Sequence, residues 1–253
     1  MYAEERQLEI LSRARAAGRV DVAGLAGALD VTQETVRRDL GVLVRRGLLK
    51  RVHGGAIPVE RLDYEPKLAA RREQYVEEKK RIARAALEEL PEGGAVLFDS
   101  GSTPEALARL MPSDRELTVV TNSLPIATLL SDRSQLAVWC LGGLVRGRTH
   151  SAVDDWARRQ LAEISVEVAF LGTNGLSVGR GLTTALPTEA AVKSAMVHCG
   201  KRRVLLADHS KVGRDSFCRF AAVDDLDVIV TSSEVDDDAA AELESCGPKV
   251  VRA

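Results

Sequence analysis

The chain has 253 residues, with 35 lysines and arginines against 37 aspartates and glutamates, a formal net charge of −2 and 45% hydrophobic residues. Such a length suits two domains, the ordinary composition argues against a disordered or fibrous chain, and the near-neutral balance excludes a protein that is a polycation throughout. No run approaches the roughly 18 apolar residues of a membrane span, and the charged N-terminus MYAEERQLEI has no apolar signal core, so a cytoplasmic protein with no membrane partner is expected.

The charge is uneven along the chain. Residues 1–58 hold 10 basic and 7 acidic side chains, and residues 32–57 alone hold 6 and 2. A polyanion partner at that end follows as a first hypothesis. Cys140, Cys199, Cys218 and Cys246 form no CxxC pair and are expected as reduced thiols, mostly in the core, with no metal site and no cofactor.

In chain order, EERQLEILSRARAAG reads as an amphipathic helix with Leu8 and Leu11 along one side, Ile10 and Ala14 beside them, and Gly18 as its stop. Asp21 then caps a short helix carrying Leu25 and Leu29, and Asp30 and Val31 make a tight turn. Thr32 caps a third helix that runs to Gly47. On a wheel of about 100° per residue, Val36, Leu40 and Leu43 fall within roughly 60° of one another, whereas Arg37 lies about 100° and Arg38 about 200° from Val36. The arginines therefore face away from the core. Two short helices joined by a turn, the second with a basic outer face, form a helix-turn-helix. Thr32, Gln33, Thr35, Arg37 and Arg38 are its candidate contacts with double-stranded DNA. LLKRVHGGAIPV adds a two-stranded wing that sets Lys50, Arg51 and His53 against the phosphate backbone.

The stretch VDVAGLAGALDVTQETVRRDLGVLVRRGLLKRVHGGA resembles the DNA-binding domain of DeoR/GlpR-family bacterial transcriptional regulators, most specifically in TVRRDL and GLLKRVHGGA. Thr32 and Val36 stand where that family often has Ser and Ile. These changes keep the capping hydroxyl and the β-branched core group.

Residues 59–78 read as a polar, proline-containing connector that becomes helical toward its end, between a DNA-binding domain at 1–58 and an α/β domain at 79–253. In the latter, apolar strands alternate with helices: KKRIARAALEEL, AVLFD, PEALARLM, LTVVT, a helix from Ser123, LAVWCL, VEVAFLG, PTEAAVKSAMVHC, VLLAD, DVIVT, a helix over 234–245 and KVVRA. That alternation predicts a mostly parallel sheet covered on both faces, with ligands at the carboxyl ends of its strands. The residues that follow the strands are small or polar. In DSGSTP, Ser100, Gly101, Ser102 and Thr103 suit a phosphate cradle at a helix start. Lys211 in DHSKVG offers a cation. Asp99 and Asp208 end strands and are candidates for sugar hydroxyls, with turn formation as the plainer role. Asn122 has a similar alternative as a cap.

The order DSGST, TNS, GG, GTNG, TEAAVKSAM, LADHSKVG resembles the effector domain of the same family, which is similar to ribose-phosphate and glucosamine-phosphate isomerases. DSGST stands where DxGTT is common. The resemblance implies a regulator, usually a repressor of carbohydrate-metabolism genes, that binds a phosphorylated sugar effector through Asp99, Ser100, Gly101, Ser102, Thr103, Asn122, Gly143, Asp208 and Lys211. Reading two operator half-sites requires at least a homodimer. The alternative is a sugar-phosphate isomerase with an accessory DNA-binding domain. It would use Glu189, Asp99 or Asp208 to move a proton, although Glu189 also suits the first turn of a helix.

Overall fold

The computed structural model describes residues 2–58, 65–112 and 114–253. The chain divides into two compact units, residues 1–61 and 62–253.

In the first unit, α1 (Ala3–Ala17) ends at Gly18, whose φ of 69° lies in the left-handed region. Strand β1 (Val20–Asp21) leads into α2 (Val22–Ala28), capped by the Asp21 carboxylate, which accepts from the Gly24 amide at 2.7 Å. Asp30 makes the turn at φ 51°. Helix α3 (Gln33–Arg45) follows, with Thr32 Oγ1 accepting from the Thr35 amide at 3.2 Å. The wing is β2 (Leu49–Val52) and β3 (Gly55–Pro58), joined through His53 and Gly54, and β3 also pairs with β1. Ile10, Leu11 and Ala14 of α1 pack with Leu25, Leu29, Val36, Leu40, Leu43 and Leu49.

Leu8 departs from the sequence expectation: it is 68% exposed, and Gln7 takes the inward position. A step of one residue turns a helix by about 100°, so only one of the two can face the core. Asp39 decides which. It is buried on α3 and accepts from Arg6 Nε at 2.6 Å and Gln7 Nε2 at 3.0 Å. The inner stripe of α1 is therefore partly polar.

The second unit opens with α4 (Leu68–Glu73) and α5 (Val76–Ala86), followed by β4 (Gly94–Phe98), α6 (Ser102–Arg109), β5 (Leu117–Thr121), α7 (Leu124–Ser131) and β6 (Leu136–Cys140). A short hairpin of β7 (Val145–Arg146) and β8 (Ser151–Ala152) precedes α8 (Asp155–Ala162) and β9 (Val166–Leu171). Then come β10 (Gly175–Ser177), β11 (Gly181–Thr184), α9 (Pro187–Cys199), β12 (Gly200–Ala207) and β13 (Cys218–Ala221). The chain closes with β14 (Val228–Thr231), α10 (Asp237–Ser245) and β15 (Lys249–Arg252).

Seven of these strands form one parallel sheet in the order β15-β14-β12-β9-β4-β5-β6. Residues alternate between its faces, as the two-residue period of a strand requires. Val96, Phe98, Val168, Phe170 and Leu206 pack with α5, α6 and α7, whereas Leu97, Ala169, Leu171, Leu205 and Ala207 pack with α8 and α9. Both faces are covered, which is why the strands are apolar throughout. Helix α8 was not expected from the sequence, nor were the β7–β8 hairpin and the three-stranded antiparallel sheet β10-β11-β13, whose strands run only two to four residues.

The expected connector differs in part. Residues 59–64 lie outside the described residues, and 65–78 belong to the second unit, with Glu65 and Leu68 each 2% exposed. The cysteines also differ: Cys199 is buried, Cys218 and Cys246 are half-buried and Cys140 is exposed. Among the described residues no helix is long and apolar enough to cross a membrane.

Candidate functional site

In the first unit, Thr32, Gln33, Arg37 and Arg38 are exposed along the start of α3, and Thr35 is half-buried beside them. Thr32 and Thr35 also join through their hydroxyls at 2.9 Å. Arg37 Nη2 donates to Gln33 Oε1 at 3.2 Å and Nη1 lies 3.7 Å from Glu34, both at the surface, where such contacts are weak and readily exchanged. Lys50, Arg51 and His53 are exposed on the wing. Arg51 Nη1 reaches the Arg37 carbonyl at 3.4 Å, and the His53 carbonyl accepts from Arg19 at 3.1 Å. The wing is thus fastened to the basic helix, and the expected contact residues form one exposed cationic face.

In the second unit, the chain steps outward from β4 through β5 and β6, returns to β9 on the other side of β4, and steps outward again through β12, β14 and β15. The carboxyl ends of β4 and β9 therefore diverge, and a cleft opens there. It is lined by Ser100, Gly101, Ser102, Thr103, Gly172, Thr173, Asn174, Glu189, Lys193 and Lys211, among others. Gly101, at φ 152°, turns the chain into α6. The amides of Gly101, Ser102 and Thr103 donate to no acceptor among the described residues, as befits the first turn of a helix. Together with the helix dipole they make a positive, anion-seeking wall.

Cations complete that wall. Lys211 is half-buried and makes no ion pair within 4.0 Å among the described residues. Burial pushes its ammonium below the usual lysine range, Asp208 opposes that, and Arg71 and Arg214 add to it. Lys193 is 2% exposed, ion-pairs with Asp99 and donates to the Gly172 carbonyl at 3.0 Å. Burial pushes the Glu189 carboxyl up against the opposing pull of Lys193, and Arg146 Nη1 sits 2.9 Å from it.

Four expected effector residues do not line the cleft. Asp99 is fully buried beneath the loop, where it accepts from the Ser100 and Gly172 amides at 2.7 and 2.9 Å as well as from Lys193. Asn122 is buried and donates to the Ala152 carbonyl at 3.1 Å, holding β8. Gly143 lies against the cap of α8, where a Cβ would meet Asp154 Oδ1 at 2.2 Å. Asp208 is 1% exposed and turns inward to Ser210, whose amide it accepts at 3.1 Å. Burial alone would raise the Asp208 carboxyl, but Lys211, Ser210 and Lys79 hold it below the usual range. These residues shape the strand ends, a structural task that uses the same residue types as ligand binding. Thr173, Asn174 and Lys193 are cleft residues that sequence reasoning missed. Thr173 and Asn174 sit in GTNG, whose place after a strand was the available signal. Lys193 had none, because its burial follows from the packing of α9.

Residues 6–61 match the family described as the DeoR-like helix-turn-helix domain, and residues 74–233 match the DeoR C terminal sensor domain. The chain is 38% identical over 251 residues to the HTH-type transcriptional regulator GlpR of Haloferax volcanii, covering 99% of this chain and 98% of that one. It is 31% identical over 231 residues to the HTH-type transcriptional repressor GlcR of Bacillus subtilis, covering 91% and 89%. Among solved structures, ribose 5 phosphate isomerase A from Neisseria gonorrhoeae aligns at a TM-score of 0.39 and 20% identity, over 53% of this chain and 52% of that one.

Proposed function

The chain belongs to the DeoR family of DNA-binding transcriptional regulators, and we propose that it is a repressor of carbohydrate-metabolism genes released from its operator by a phosphorylated sugar. Thr32, Gln33, Thr35, Arg37 and Arg38 read the major groove, and Lys50, Arg51 and His53 hold the phosphate backbone. Two half-sites call for at least a dimer.

One observation carries the effector reading. The acceptor-free amides of Gly101, Ser102 and Thr103 share a cleft with Lys211, a cation that has no ion-pair partner among the described residues. A phosphoryl group satisfies both. The side chain of Asn174 makes no hydrogen bond among the described residues and is placed for a sugar hydroxyl. Isomerase chemistry instead needs a carboxylate free to move a proton. Glu189 is on the cleft wall, but Arg146 holds it.

A thermal-shift panel of sugar phosphates tests the reading, because a ligand that binds the folded chain raises its melting temperature. One member is expected to stabilise the wild type and release operator DNA, and Lys211→Ala to bind DNA normally yet lose both responses. A Lys211→Ala protein that still lets go of DNA at the wild-type effector concentration removes the pocket. Isomer formation that Glu189→Gln abolishes would make the second unit an enzyme.

A further inference from the structure

We propose that Arg71 is a direct ligand of the phosphoryl group captured in the cleft, and that segment 65–73 thereby responds to occupancy. The proposal rests on the effector reading above and adds to it a residue that no motif marked.

Arg71 lines the cleft beside Ser100, Thr103, Lys193 and Lys211. Its Nε is buried with no hydrogen-bond partner among the described residues. Its Nη1 lies 3.4 Å from Glu65 Oε1, longer than the roughly 2.7–2.9 Å of a well-made charged hydrogen bond, and that Glu65 oxygen also has no hydrogen-bond partner among the described residues. A guanidinium with a planar fork suits a tetrahedral phosphoryl group better than it suits this partly engaged carboxylate.

The surroundings turn that preference into a signal. Glu65 is held by Arg146, which also binds Glu189 on the cleft wall at 2.9 Å. Arg148 Nη1 donates to the Glu65 carbonyl at 2.5 Å, and the Leu68 amide donates to the Arg148 carbonyl at 3.0 Å. At the other end of α4, Lys79 fixes the Arg71 carbonyl at 2.6 Å, and Arg72 Nε reaches Glu105 of α6 at 2.9 Å. The backbone of Arg71 is therefore anchored while its guanidinium has a choice of two anions. A phosphoryl dianion draws the fork from Glu65 and repels that carboxylate. The change falls on residues 65–68, the first described residues of the second unit.

The test uses the full-length wild type, Arg71→Gln, Arg71→Lys and Lys211→Ala, with inorganic phosphate as probe. Affinity is read by calorimetry and backbone hydrogen exchange over 65–73. Arg71→Gln is expected to weaken phosphate about tenfold and, at saturation, to lose the exchange response that the wild type shows in 65–73. Arg71→Lys keeps the charge without the fork and is expected to fall between them. Should Arg71→Gln not fold, a loss of the exchange response in Arg71→Lys supports the proposal. Wild-type affinity and wild-type exchange response in the variant that folds would overturn it and leave the cleft standing. If phosphate binds neither the wild type nor Lys211→Ala, the cleft itself is not an anion site and the role of Arg71 falls with it.

Discussion

A methyl group on Gly55 would sit 1.9 Å from the Val20 carbonyl oxygen, a separation no packing accommodates. Glycine is required there for close approach, since β1 lies directly against β3. Gly55→Ala is expected to separate the wing from β1 and cost about 1–3 kcal/mol, read as a lower melting temperature of the first unit. Arg37 belongs to a different class: it is exposed and bears little on stability. Arg37→Ala is expected to cost about 1–3 kcal/mol of operator affinity in a titration, with unchanged affinity removing it from the interface. The exposure of Arg37 and Arg38 was legible on a helical wheel, because an apolar stripe of Val36, Leu40 and Leu43 fixes every other angle. The inward turn of Gln7 was not. It depends on Asp39, which lies 32 positions away in sequence.

At the scale of elements, α4 and the start of α5 fall in the polar connector, and the body of α5 in the helix expected from Lys79 onward. The ammonium of Lys79, 5% exposed, donates to the carbonyls of Arg71 and Gln74. Burial lowers its pKa to about 8, with Lys211 and Arg71 adding to the shift and Asp208 and Glu78 opposing it. The unfolded chain keeps that proton up to about pH 10.4, so between the two values it binds more protons than the folded one. Stability from this group therefore rises with pH, by on the order of 3 kcal/mol across that window. Urea unfolding of the second unit at about pH 7.5 and pH 10 is expected to show this slope, and Lys79→Met to flatten it. A slope unchanged in the variant would assign the pH dependence elsewhere. The parallel strands were legible because burial on both faces leaves an uninterrupted apolar run. Strands β10, β11 and β13 are only three or four residues long and pair antiparallel, so no period announces them.

For the whole molecule, linkage sets the terms. If effector and operator oppose one another by about 1–3 kcal/mol, effector weakens operator affinity roughly 5- to 150-fold, and operator must weaken effector affinity by the same factor. Measuring both titrations on one preparation checks this, and unequal factors would mean that the two ligands do not share one equilibrium. The sequence by itself determined the two-part architecture, the basic face of α3 and the glycine-serine loop at 100–103 that opens α6. Each rests on a local period, cap or turn that needs no distant partner. Only the tertiary structure decided which strand-end residues face the cleft. Asp99, Asn122 and Asp208 are spent on holding backbone, whereas Arg71, Asn174 and Lys193 are delivered to the cleft by elements far apart in the chain. The physical reason is that a buried polar side chain must find a partner, and which partner it finds is set by the packing of the whole sheet.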